Sequence, residues 1–251
     1  MNILIFPIRF LYKVYFFLYF AFTLMLFYPI FKFLLSKKER FPRAFKVIKV
    51  YAKVWLYGSG IFMRVKGREN IITDQPFLIC SNHSSFIDPA TLYIIFEQYF
   101  VFTGKQEIEK WPLFHIFYTS GMNILVDRHN RLGALKSFKK MMDVIKEGNP
   151  LVILPEGTIP QNAPNLGEFK PGAVSIAIQM GIPILPITQT TNWKRLQRGT
   201  MFKGNASPGF ADVIIHPIIP TTGLKKEDAE ALSAKLRAVI NKPLQDKYGI
   251  E

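Results

Sequence analysis

A histidine and an aspartate five residues apart stand in the run Ser81-Asn82-His83-Ser84-Ser85-Phe86-Ile87-Asp88-Pro89, directly after an apolar stretch. Imidazole is the side chain suited to take a proton from an alcohol near neutral pH. A carboxylate on its other ring nitrogen fixes the tautomer and stabilises the imidazolium that forms. Neighbours on a helix face lie three or four residues apart. His83 and Asp88 therefore meet only across a turn, which Ser84 and Ser85 permit. The competing explanation is structural: Asp88-Pro89 also reads as a helix cap followed by proline at the first helical position, with His83 an ordinary loop residue.

Other polar groups close other apolar runs. Leu154-Pro155-Glu156-Gly157-Thr158 ends one of them. Gly157 allows close backbone approach there, and Thr158 offers a hydroxyl and an amide to an anion. Arg128 closes Ile124-Leu125-Val126-Asp127-Arg128, and its fork suits bidentate grip of a phosphate or pairing with Asp127 or Glu156. Lys105, after Phe102-Thr103-Gly104, is a further cation at a strand end. No G-x-S-x-G elbow makes Ser84 or Ser85 a hydrolase nucleophile, and the chain has neither a P-loop nor a G-x-G-x-x-G. His115 and His129 lack metal-ligand spacing with His83, so no metal site is expected.

Positioning these groups falls to an alternating pattern. Residues 77–82, 99–103, 123–126, 151–154, 184–187 and 213–215 read as strands, and residues 89–98, 132–147, 173–180 and 225–241 as helices. That order predicts an α/β fold, a mixed sheet flanked by helices, with ligands gathered at the carboxyl ends of the strands. The N-terminal part differs. Residues 14–31 carry no charge and are bracketed by Lys13 and Lys32. As a helix they reach about 27 Å, just short of the ~30 Å hydrocarbon core of a bilayer. Pro29 is expected to disturb the end of that helix, and a single span, a re-entrant hairpin and an interfacial helix are all compatible with the pattern.

A second helix is expected over residues 42–57. Arg43, Lys46, Lys49 and Lys53 share one arc of it, and Phe45, Ile48, Tyr51, Ala52 and Trp55 the other, the arrangement of a helix lying in a membrane surface. The chain thus divides into a membrane-anchoring two-helix segment, residues 1–60, and an α/β domain, residues 61–251.

Charge follows the same division. The 251 residues carry a formal net charge of +14, but residues 1–68 contribute +12 of it, with 13 Lys/Arg against the single acid Glu39. Basic charge beside apolar helices suits an anionic bilayer surface; a nucleic-acid binder carries it on the folded module with a recognisable motif, which is missing here. One cysteine, Cys80, excludes an internal disulfide framework and fits a reducing compartment. No small-residue cleavage site follows the apolar stretch, which argues against a removed signal peptide.

Taken in order, these pieces resemble the glycerolipid acyltransferase family, which includes 1-acyl-glycerol-3-phosphate acyltransferases. Asn82 to Pro89 resembles the family's first block, Lys105 and the segment ending Asp127-Arg128 the second, Pro155-Glu156-Gly157-Thr158 the third, and Ile184-Leu185-Pro186-Ile187 the fourth. The resemblance implies direct transfer of a fatty acyl chain from acyl-CoA or acyl carrier protein, as co-substrate and with no bound cofactor, to the free hydroxyl of lysophosphatidic acid. In it His83 is the general base and Asp88 its orienting partner. Arg128, Lys105, Glu156, Gly157 and Thr158 hold the acceptor phosphate. Ile184 and Pro186 line the acyl or donor site, and a hydrophobic tunnel in the α/β domain houses the chain. The cytoplasmic membrane, with the active site on its cytoplasmic face, is the implied location. One departure stands out: many members carry Arg after the Thr of the third block, where this chain has Ile159-Pro160. Transfer to another lysophospholipid or an amino-acid-linked lipid, and a non-catalytic membrane-surface protein of the same fold, are the alternatives.

Overall fold

A computed structural model describes residues 5–127 and 130–250. Two helices come first, α1 (Ile5–Leu34) and α2 (Phe41–Gly58). Seven strands follow: β1 (Ile61–Lys66), β2 (Leu78–Ser81), β3 (Val101–Lys105), β4 (Ile124–Val126), β5 (Leu151–Ile153), β6 (Ile184–Gln189) and β7 (Gly209–Ile215). Between and after them lie α3 (Asp88–Ile95), α4 (Ile116–Thr119), α5 (Arg131–Lys146), α6 (Gly172–Met180), α7 (Asn192–Arg195) and α8 (Ala229–Tyr248).

The strands form one sheet in the order β1-β7-β6-β2-β5-β3-β4. From β6 to β4 every pairing is parallel; β7 runs antiparallel to β6, and β1 parallel to β7. The sheet is therefore mixed, as its alternating sequence led one to expect. Strand β1 is an addition. Its core side chain Ile61 and half-buried Met63 and Val65 alternate with outward Phe62, Arg64 and Lys66, a period-two signal that the basic residues obscured.

Successive strand residues point to opposite faces, which splits the core in two. Ile79, Val152, Leu185 and Ile187 join a cluster with α1, α2 and α3. Leu78, Cys80, Leu151 and Ile184 join one with α5, α6 and α8 on the other face. Burial on both sides explains why these parallel strands read as continuous apolar runs instead of alternating ones.

The N-terminal helices depart from expectation in two ways. Helix α1 carries Pro29 inside it and continues to Leu34; a proline this near the end forfeits one backbone hydrogen bond, too little to stop the helix. At 30 residues α1 is about 45 Å long, and it is long and apolar enough to cross a membrane. One side of it, with Phe16, Leu24 and Phe31, packs on the protein, while Leu11, Leu18, Phe22, Met25, Leu26 and Phe33 are exposed.

Helix α2 behaves otherwise than expected of a surface-lying membrane helix. Phe45, Ile48, Tyr51, Ala52 and Trp55, read as its membrane face, are buried against the rest of the chain. Lys49 is buried too, bonded to the Phe96 carbonyl and the Glu97 carboxylate just beyond α3. An amphipathic pattern fixes which side is apolar, not what covers it; here α1 and α3 cover it. The core is continuous across residue 60, the division drawn from sequence.

Candidate active site

Strands β6, β2, β5, β3 and β4 all point their carboxyl ends the same way, and His83, Lys105 and the turn of Glu156, Gly157 and Thr158 stand at the ends of β2, β3 and β5. The chain leaves β2 at Ser81, makes the turn containing His83, and enters α3 at Asp88. Across that turn His83 Nδ1 and Asp88 Oδ2 are 2.9 Å apart. With the carboxylate accepting from Nδ1, the imidazole presents Nε2 as its basic nitrogen.

Asp88 does not cap its own helix. The carboxylate faces back into the turn, where Oδ2 also accepts from the Ser84 amide at 2.6 Å and the Ser85 amide at 2.8 Å, and Oδ1 accepts from Asn192 Nδ2 at 2.8 Å. It is fully buried, so four donors hold a charge that could not otherwise leave water. The capping explanation for Asp88-Pro89 thus gives way to an ordered His–Asp pair.

Behind the pair lies a network that the sequence reading missed. Asn82 and Gln189 exchange hydrogen bonds between side chain and backbone, with Asn82 Nδ2 donating to the Gln189 carbonyl at 3.1 Å and the Gln189 amide donating to Asn82 Oδ1 at 2.7 Å. Gln189 Oε1 in turn accepts from Thr91 Oγ1 and from Asn192 Nδ2. The signal available was the polar run Thr188-Gln189-Thr190-Thr191-Asn192, all buried, which closes apolar strand β6 and continues past its end.

The family resemblance puts Glu156 among the phosphate ligands. Its Oε1 accepts from the His83 amide and its Oε2 from the Gly167 amide, each at 2.6 Å. Both oxygens are thus committed to backbone amides, and a carboxylate repels an anion; the side chain instead ties the His83 turn to the segment after β5. Gly157 has φ 68, which a glycine adopts without strain. A side chain at Gly167 would approach Glu156 Oε2 to 3.1 Å.

Burial pushes the Glu156 carboxyl up from 4.5 to about 7, against the lowering pull of the two amides. Its folded pKa lies above its unfolded one, so folding favours the protonated form. The contribution to stability is full below about pH 4.5 and is lost as pH rises through about 7. Urea unfolding at pH 4.5 and pH 8 is expected to show a loss of up to about 3 kcal/mol from this group, at ~1.4 kcal/mol per pKa unit, and Glu156→Gln to remove that part of the slope.

Lys105 ends β3, two strands from β2 and at the same end of the sheet. Thr158 is exposed beside the Glu156 turn. Arg128 and His129 lie outside the described residues. Ile184 and Pro186, expected to line the acyl or donor site, are both buried in central strand β6, Ile184 packing between the sheet and α6 and α8, and neither lines the apolar cavity beneath the N-terminal helices. The fourth block, with its single proline, is core because β6 has both faces covered.

This apolar cavity, of about 530 Å³, lies between the N-terminal helices and the sheet domain, not within the latter alone. Phe20, Tyr51 and Trp55 wall it on one side; Phe86, Ala90 and Tyr93, from the turn and helix that carry His83 and Asp88, wall it on the other. Its size is ordinary for a ligand pocket.

The Acyltransferase family model matches residues 62–190. A probable 1-acyl-sn-glycerol-3-phosphate acyltransferase of Mycoplasma genitalium is 27% identical, over 82% of this chain and 80% of its own. The 1-acyl-sn-glycerol-3-phosphate acyltransferase of Borreliella burgdorferi is 28% identical, over 80% of this chain and 79% of its own. Among solved structures, the 1-acyl-sn-glycerophosphate (LPA) acyltransferase of Thermotoga maritima superposes with a TM-score of 0.76, covering 95% of this chain and 97% of that one at 20% identity, a likeness of fold.

Proposed function

This chain belongs to the acyltransferase family, and we propose that it moves a fatty acyl group from a thioester, acyl-CoA or acyl carrier protein, to the free hydroxyl of 1-acyl-glycerol-3-phosphate, giving phosphatidic acid. One observation carries the reading: an ordered His83–Asp88 pair sits on the turn and helix that wall an apolar cavity beneath the N-terminal helices. The names borne by the relatives point to the same acceptor.

In the proposed reaction the acceptor hydroxyl gives its proton to His83 Nε2 as its oxygen attacks the thioester carbonyl. Asp88 stabilises the imidazolium across the 2.9 Å contact. The tetrahedral intermediate collapses by breaking the carbon–sulfur bond, and the departing thiolate takes the proton from the imidazolium. Ester and free thiol are the products, so no acyl-enzyme and no bound cofactor are required. Lys105, Arg128, Gly157 and Thr158 are proposed to face the acceptor phosphate.

A lysolipid and its product live in the bilayer interface. We propose that the exposed apolar side of α1 enters an anionic membrane, with the site on the cytoplasmic face, where thioester donors are made. The full chain is then expected to co-sediment with anionic vesicles, and Leu18→Glu/Phe22→Glu/Leu26→Glu to abolish this without loss of fold.

The activity is tested with labelled acyl-CoA and, separately, labelled acyl carrier protein, offered with lysophosphatidic acid in detergent micelles. Phosphatidic acid from either donor is the expected product. Transfer to other lysolipids but not to lysophosphatidic acid would replace the proposed acceptor and leave the chemistry in place.

A further inference from the structure

Between α7 and β7 the chain runs as a loop beside the site. Its first residue, Leu196, accepts a hydrogen bond at its carbonyl from Ser85 Oγ at 2.6 Å, so the loop is fastened directly to the His83–Asp88 turn. Leu196 and Gly199 both line the apolar cavity. Arg198 stands between them and is exposed. Its Nη1 donates to the Ile159 carbonyl and lies 3.5 Å from Thr158 Oγ1. A guanidinium is thus held against the turn of Glu156, Gly157 and Thr158, on a loop that lines the apolar cavity and is fastened to the turn carrying the base.

The turn brings no cation of its own, since Ile159 is buried and Pro160 follows it. Glu156 is spent on two backbone amides. The backbone carbonyl of Ile159 instead positions Arg198, whose guanidinium carries five donors, of which only Nη1 makes these contacts. A planar fork so placed suits a phosphate, which it can meet with two parallel charge-assisted bonds.

We infer that Arg198 is an acceptor-binding residue, holding the phosphate monoester of a lysolipid whose chain lies in the cavity and whose hydroxyl faces His83. The inference rests on the proposed function, which it deepens by naming the group that selects a phosphorylated acceptor. Arg198 takes no part in proton transfer and acts on binding.

The test uses the full chain and the variants Arg198→Gln, Arg198→Lys and Arg198→Ala. Glutamine keeps a donor for the Ile159 carbonyl while removing the charge, so it separates phosphate binding from anchoring of the loop. Loss of a charge-assisted pair is worth roughly 10- to 100-fold. Arg198→Gln and Arg198→Ala are expected to raise the KM for lysophosphatidic acid by roughly that factor, with kcat little changed and the KM for the thioester donor unmoved. Arg198→Lys is expected to fall between them and the intact chain.

Binding of labelled lysophosphatidic acid in mixed micelles is measured in parallel. An intact chain that binds it but does not transfer to it sinks the proposed function and not this inference. Four results overturn the inference: phosphate-lipid binding unaltered in Arg198→Gln, the same binding absent from the intact chain, a shift confined to the donor KM, which would assign the guanidinium to donor phosphates, and a fall in kcat with KM unchanged, which would leave Arg198 a structural brace.

Discussion

Replacement of His83 by alanine is expected to lower acyl transfer by about 10²–10⁴, the usual worth of a positioned general base, with the fold unchanged. The expectation follows from what would remain. Asp88 keeps the Ser84 and Ser85 amides and Asn192, so the carboxylate is not orphaned. The residue 83 amide still reaches Glu156 Oε1, because that bond belongs to the backbone. The loss should therefore fall on kcat, with the KM for the lysolipid little altered, the signature of a group that acts in the transition state. Circular dichroism and the thermal midpoint should match those of the intact chain. Transfer untouched by the substitution sinks the base assignment outright.

Asp88→Ala is expected to cost both activity and stability. Removing the carboxylate deprives four groups at once, two of them buried backbone amides, and each unsatisfied buried donor costs about 1–3 kcal/mol. A total of roughly 3–5 kcal/mol, the range for breaking a buried charged network, would show as a lower urea midpoint at unchanged slope. Activity should fall to the level of the His83 variant, because an imidazole without its partner loses both tautomer and aim. The two effects separate in the double variant. His83→Ala/Asp88→Ala should transfer no more slowly than His83→Ala alone, since the pair acts as one unit, yet should be as unstable as Asp88→Ala. A double variant markedly slower than either single one would mean that Asp88 serves the reaction independently of His83.

Much of this protein was legible in its sequence where a physical rule acts over short distances. Apolar strands separated by helical stretches declared an α/β sheet, since those runs had to be covered on both faces. Polar clusters at their ends marked a candidate site, because parallel strands deliver such clusters to one edge. The turn formed by Ser84 and Ser85 allowed a five-residue spacing to become a hydrogen-bonded pair. The uncharged stretch in α1 declared an unusually apolar helix, and its outer side is indeed exposed.

What the sequence left undetermined were contacts between distant segments. Helix α2 had an apolar side by pattern alone, but only the packing of α1 and α3 made that side core and placed the cavity at the seam between α1 and α2 and the sheet domain. Glu156 and His83 lie 73 residues apart, and nothing local distinguishes a carboxylate that ties down a turn from one that faces a ligand. Asn192 reaches Asp88 over 104 residues, and Arg198 meets Ile159 over 39. Periodicity and turn chemistry are set by neighbours in the chain and can be read along it. A hydrogen bond across the sheet depends on strand order and register, which the long-range burial of the core decides.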